Sequence, residues 1–151
     1  MIELGSDHAG FELKEIIKQH LEDRGLDFQD HGCFGTDAAD YPVFAAKTAR
    51  AVAMGDGGTL GILCCGTGVG ISIAANKVRG IRAACCSDEF TAEMARKHND
   101  ANILCMGARV ISAETALKLV DVFLDTEASE DERHKNRVRM LSDIENEKLI
   151  V

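Results

Sequence analysis

The chain is short of positive charge relative to negative. Seventeen Lys and Arg stand against 25 Asp and Glu, a net charge of −8. General nucleic-acid binders carry basic surfaces, so that class is excluded as a first reading. An anionic small substrate would need a local basic cluster to overcome the global field. The chain also lacks any Cys-x-x-Cys, and with it the tetrahedral zinc spacing. It has no low-complexity tract, linker or fixed-period repeat. Its first residues show no basic segment followed by an apolar one, so no secretory leader is expected. Residues 57–76 carry no charge but include six glycines, two threonines, a serine and an asparagine. A membrane-spanning helix of about 20 residues is far more uniformly apolar, so no span is expected there.

What is present fits one domain, residues 1–151, with 46% hydrophobic residues and room for a real core. Six cysteines are even in number, as a disulfide framework would be. Their placement argues otherwise. Cys64 and Cys65 are adjacent, as are Cys85 and Cys86, in apolar runs that read as buried strands. Neighbours on a strand face opposite sides. Reduced thiols in a cytoplasmic protein are expected. Cys33, Cys64, Cys85, Cys86 and Cys105 read as small buried hydrophobes.

Short apolar runs alternate with longer amphipathic ones. Strands are expected at Met1–Leu4, Leu26–Gln29, Thr59–Cys65, Ile81–Cys86 and Asn102–Met106. Phe11, Leu13, Ile16, Ile17 and Leu21 repeat at helical spacing, and Gly25 ends that helix. Tyr41-Pro42 opens a second helix, where a missing proline N–H does no harm. Further helices are expected at Ile71–Val78, Asp88–Lys97, from a Ser112 cap to Leu124, and at Arg133–Lys148. The alternation implies a three-layer α/β/α sandwich: a five-stranded parallel, Rossmann-like sheet between helices, with an added C-terminal helix. Ligands of such sheets bind at the carboxyl ends of the strands. Chemistry is therefore expected after Leu4, Cys65, Cys86 and Met106.

The strongest local signal is Cys65-Gly66-Thr67-Gly68-Val69-Gly70, between a buried strand and a helix. Alternating glycines let several N–H groups point at one spot, and the helix N-terminus adds partial positive charge. This is an anion cradle, or else a tight turn without a ligand. No Gly-Lys-Ser/Thr follows, and the third glycine comes too early for Gly-x-Gly-x-x-Gly, so neither a Walker loop nor a dinucleotide site is expected. At the junction of strand and helix, the Cys65 thiol stands where thiolates are favoured. Thr67 can bond that sulfur or a substrate oxygen, or cap the helix. Asp7-His8 follows the first strand and can bind a sugar hydroxyl or phosphate; Ser6 or Asp7 could equally cap a helix. His98 ends a helix, where its charged form is favoured, as suits a proton donor. His20 and His31 read as structural. Arg133 and Arg137 lie four apart in the only dense basic run and could fork onto one phosphate, or simply pair with Glu130, Asp131 and Glu132. Arg109 is a third candidate for the same anion.

Several separated segments stand together in order: Ser6-Asp7-His8-Ala9-Gly10, Asp40-Tyr41-Pro42, Cys65 to Gly70, Ala74-Ala75-Asn76-Lys77, Gly80-Ile81-Arg82, Arg96-x-His98-Asn99, Ala101-Asn102 and Arg133-His134. From Ile2 to about Leu141 the chain resembles the type-B ribose-5-phosphate isomerases, a family that also holds allose- and galactose-6-phosphate isomerases. The resemblance implies an aldose–ketose isomerisation of the pentose phosphate pathway, free of metal and cofactor. It implies Cys65 as the base between C1 and C2, with Thr67 assisting. The amides of Gly66, Thr67, Gly68, Val69 and Gly70 would hold the enediolate oxygens. His98 would help open the sugar ring. Asp7, His8, Tyr41 and Asn99 would touch hydroxyls or the ring oxygen. Arg109, Arg133 and Arg137, with help from His8, would hold the phosphate. It implies a homodimer or homotetramer whose sites draw on two subunits, and neither a nucleic-acid nor a membrane partner. One departure is Asp131-Glu132, where the family commonly has Gly-Gly; acids there could weaken the phosphate site or orient Arg133. Allose 6-phosphate is the alternative substrate. A Cys65–His98 acyl-transfer enzyme would leave the basic run unexplained, and a non-catalytic sugar-phosphate binder would turn nothing over.

Overall fold

A computed structural model describes residues 1–149; Ile150 and Val151, the end of the expected domain, lie outside the described residues. The elements in chain order are β1 (Ile2–Ser6), α1 (Phe11–Asp23), β2 (Phe28–Asp30), α2 (Tyr41–Met54), β3 (Leu60–Cys65) and α3 (Val69–Ala75). Then come β4 (Ala83–Cys85), α4 (Glu89–Asn99), β5 (Ile103–Gly107), α5 (Ala113–Asp125) and α6 (Glu132–Glu145). The strands form one parallel sheet in the order β2-β1-β3-β5-β4.

The two faces of the sheet carry separate cores. Leu4, Ile62, Cys64 and Leu104 pack under Leu13 and Ile17 of α1, Ala92 and Ala95 of α4, and Leu119 and Phe123 of α5. Leu63, Cys65, Ile103 and Cys105 pack under Ala45, Ala49 and Val52 of α2 and Ile71 and Ala75 of α3. This is the expected three-layer sandwich. Cys64 and Cys65 point into different cores, as strand alternation requires. Burial pushes the Cys64 thiol up to about 12 and the Cys105 thiol well above its ordinary value, so both stay protonated core groups. α6 lies outside this sandwich, against α4. No helix among the described residues is long and apolar enough to cross a membrane.

Local signals placed the helix starts well. Ser112 accepts the Thr115 N–H at 3.1 Å, and Asp88 accepts that of Thr91 at 2.8 Å. Several boundaries differ from the expected ones. β1 continues to Ser6, because Gly5 and Ser6 keep pairing with Leu63 and Cys64. β2 is Phe28–Asp30 and β4 only Ala83–Cys85; each is an edge strand with a partner on one side. α3 begins at Val69, and α6 runs from Glu132 to Glu145. The edge position also corrects Cys85: it is exposed, where a buried hydrophobe was expected.

Lys14 departs from the usual surface role of lysine. Its side chain is 1% exposed, and Nζ donates to Asp30 Oδ1 at 2.6 Å and to the Cys33 carbonyl at 2.7 Å. Burial works against the Asp30 carboxylate, but hydrogen bonds from Lys14, the Gly32 N–H and Lys18 outweigh it and hold its pKa below the usual value. Removing one partner strands the other. Lys14→Met is expected to lose about 3 kcal/mol in urea unfolding. Because Asp30 has a lowered folded pKa, its contribution is complete above about pH 4 and lost as pH falls further. Asp30→Asn should therefore show a shallower decline of the urea midpoint on acidification than the parent. Equal slopes would discard this source of acid sensitivity.

Candidate active site

β1 and β3 are neighbours, yet their outgoing connections diverge. β1 leads through α1 to β2 on one side, and β3 leads through α3 toward β4 on the other. The helices α1 and α3 lie on opposite faces. The sheet thus opens a crevice at the carboxyl ends of β1 and β3, the topological switch point of an open α/β sheet. The loops that meet there are Asp7–Gly10 and Gly66–Gly68. The Asp7 N–H donates to the Cys64 carbonyl at 3.2 Å and joins them.

Cys65 is the last residue of β3 and 4% exposed. Its Sγ accepts the Gly68 N–H at 3.1 Å. Gly68 reaches that position with φ +79°, a left-handed conformation natural to glycine. Thr67 is exposed, and its Oγ1 accepts the Val69 N–H at 3.3 Å. The next N–H groups, of Gly70 and Ile71, belong to the first turn of α3 and have no acceptor within the helix. α3 has only seven residues. Its macrodipole is therefore short, and individual N–H groups carry most of the cradle's attraction for an anion.

Other expected residues converge here. The Asp7 carboxylate is buried and accepts the Gly10 N–H at 3.0 Å, holding the turn into α1. His8 Nδ1 accepts the Ala39 N–H at 3.1 Å. The same nitrogen lies 3.3 Å from the Ala39 carbonyl, so Nδ1 holds the ring to Ala39 in either tautomer. The Tyr41 ring lies against Gly70, where an added Cβ would meet Cζ at 2.9 Å. After β5 the chain turns back on the loop: the Arg109 N–H donates to the Gly66 carbonyl at 3.0 Å, and its guanidinium covers Gly66. One chain therefore gathers Asp7, His8, Tyr41, Cys65 to Gly70 and Arg109.

His98, Asn99, Arg133 and Arg137 are not among them. α4 runs antiparallel to the strands, so His98 and Asn99 in its last turn lie at the amino edge of the sheet. There the Asn99 carbonyl accepts from Arg82, just before β4. The Lys97 carbonyl accepts the Ser129 N–H at 3.0 Å, which brings the start of α6 to the same place. Arg133 stands in the first turn of α6, its backbone N–H bonded to the Asp131 carboxylate at 2.8 Å. Asp131 caps α6, and its Oδ2 lies 3.6 Å from the Arg133 guanidinium. That capping bond is the largest influence holding the Asp131 carboxyl below its usual pKa. The six-residue strand β3, about 20 Å long at 3.3 Å per residue, separates the two groups in one chain.

His134 joins this second group, quoted above only within Arg133-His134 and given no role there. Its ring stacks on His98 with centroids 4.3 Å apart and planes 5° from parallel. The only sequence signal was its place beside Arg133. His20 and His31 lie elsewhere, 2.7 Å from Asp121 and 2.6 Å from Glu3 respectively. Among the described residues, no three His, Cys, Asp or Glu side chains are grouped to hold a metal ion.

Residues 2–141 match the Ribose/Galactose Isomerase family. The chain is 48% identical over 146 residues to ribose-5-phosphate isomerase B of Escherichia coli (strain K12), covering 95% of each chain. Its structure is similar to that of ribose-5-phosphate isomerase B from Clostridium thermocellum, with a TM-score of 0.92, 47% identity, and coverage of 98% of this chain and 99% of that one. It is also similar to ribose-5-phosphate isomerase B of Mycoplasma genitalium solved with bound ribulose-5-phosphate. There the TM-score is 0.90, the identity 41%, and the coverage 97% of this chain and 96% of that one.

Proposed function

The chain belongs to the Ribose/Galactose Isomerase family and interconverts ribose 5-phosphate and ribulose 5-phosphate, and we propose that it does so through one site built from two subunits. Each site takes Asp7, His8, Tyr41, the Cys65–Gly70 loop and Arg109 from one chain, and His98, Asn99, Arg133 and Arg137 from a second. What supports this is the separation of the two groups to opposite edges of one sheet, although their chemistry is complementary. The smallest assembly that satisfies it is a homodimer with two sites. The chain works as one sugar-phosphate isomerase domain in a reducing cytoplasm, consistent with its six free cysteines.

The phosphate sits against Arg109, Arg133 and Arg137, with His8 beside them. Charge-assisted contacts there supply binding energy that positions the carbons. His98 protonates the ring oxygen as the C1–O bond of the cyclic sugar breaks, and the C1 hydroxyl gives its proton to water to become the aldehyde. Asp7, Tyr41 and Asn99 hold the hydroxyls. In the open aldose, Cys65 Sγ removes the C2 proton, and the electron pair moves through C1 onto the aldehyde oxygen. The resulting enediolate is held by the loop N–H groups, and Thr67 moves a proton between O1 and O2. Cys65 then returns its proton to C1 to complete the ketose. No metal or cofactor is needed for these transfers.

Mixing tests the shared site. Cys65→Ala and His98→Asn are each expected to be inactive. Co-expressed, they form heterodimers with one intact site of two, and activity should return to about a quarter of the parent value at random assortment. Mixtures as inactive as their components would mean that each chain builds its own site.

A further inference from the structure

We propose that His134 is a positioning residue for ring opening: a neutral imidazole, locked by Arg133, that fixes the plane of His98 and leaves that ring as the pair's only proton carrier. This rests on the role of His98 given above.

The geometry is specific. His134 is buried in the first turn of α6, and its ring lies parallel to that of His98 at 4.3 Å. Arg133 Nη2 sits 3.3 Å from His134 Nε2. A guanidinium can only donate, so Nε2 must accept, and an accepting Nε2 belongs to a neutral ring with its proton on Nδ1. Two stacked imidazolium ions would repel at this distance in a half-buried place. The stack therefore accommodates one proton, and Arg133 leaves it to His98.

The surrounding charges point the same way. On α4, Lys97 is paired with Glu93. Asp100, at its C-terminus, is held by Arg82 and Arg96. Ahead of α6, Glu130 is paired with Lys135. Asp131, the cap of α6, favours a charged His134 but faces Arg133, and Arg133 and Arg137 oppose it. Burial first, then the charges of His98 and Arg133, hold His134 below the ordinary histidine range. His98 can then donate to the ring oxygen from a fixed plane, because the flat surface of His134 blocks rotation toward α6.

Side-chain nitrogen NMR of the parent protein across pH 5 to 8 gives the first test. His134 is expected to stay neutral across this range with its proton on Nδ1. Both rings titrating alike, or a proton on His134 Nε2, would overturn the proposal. Kinetics give the second. His134→Ala is expected to lower kcat on ribose 5-phosphate about 10- to 100-fold, with KM within about twofold of the parent. His134→Phe restores a flat ring and should recover most of kcat.

Ribulose 5-phosphate cannot close a ring through its phosphorylated O5. Deuterium uptake from solvent at its C1 therefore reports Cys65 chemistry alone and should be unchanged in both variants. Parent kcat and pH profile in His134→Ala would overturn the proposal, and so would a matching loss of deuterium uptake. His98→Asn separates the premise: if it turns over ribose 5-phosphate normally, the ring-opening role of His98 falls. If it loses turnover while His134→Ala does not, only the role of His134 falls.

Discussion

Cys65→Ala is expected to lower kcat by about 10³-fold or more while leaving the fold and sugar-phosphate binding nearly intact. The sulfur stands at the joint of β3 and the glycine loop, and the Gly68 N–H is aimed at it from 3.1 Å. In the proposed mechanism that sulfur is the base. Alanine keeps the backbone of the cradle, so phosphate contacts and enediolate donors survive without the proton acceptor. The lost sulfur leaves a small cavity under α2 and α3, worth about 1 kcal/mol. NMR of ribose 5-phosphate turnover, with deuterium uptake at C1 of ribulose 5-phosphate, checks the result. Both should vanish together. An alanine variant that still exchanges the C1 proton would assign the base elsewhere.

Gly68→Ala is the second large effect, and it acts through the backbone. A side chain at φ +79° costs about 1–2 kcal/mol by itself. The new Cβ would lie 2.9 Å from the Met106 backbone carbon and from Cys85 Sγ. β5 is buried at every residue and paired on both sides, so it cannot yield. The loop must move instead, taking its N–H from Cys65 Sγ and turning its neighbours from the oxygens they would hold. Loss of one such donor costs about 10²- to 10³-fold in kcat. The melting temperature should fall with it, by the equivalent of about 2–3 kcal/mol. Parent-like kcat in the folded variant would show that the Gly68 N–H has no part in the reaction.

The cradle was legible because everything that defines it lies within a few residues. An apolar run, Cys65 and three alternating glycines describe strand, turn and helix start in a row. The helix cap at Ser112 was legible for the same reason, as was the division of Cys64 and Cys65 between two faces. Cys85 misled because Cys85-Cys86 has the same apolar setting as Cys64-Cys65; only the edge position of β4 exposes it. Lys14 gave no sign of burial, since its partner Asp30 lies 16 residues away on another element.

By itself, then, the sequence determined the alternating architecture and the glycine loop that follows Cys65, and it named the polar residues that the proposed function uses. Period and capping are short-range properties, and ordered motifs survive as text. Tertiary structure alone decided the strand order, and with it the crevice between β1 and β3. It also separated His98, Arg133 and Arg137 from Cys65 by the length of a strand, and laid His134 flat on His98. These are distances between residues far apart in the chain. They are set by how two hydrophobic faces of one sheet are covered at once, which no local pattern encodes.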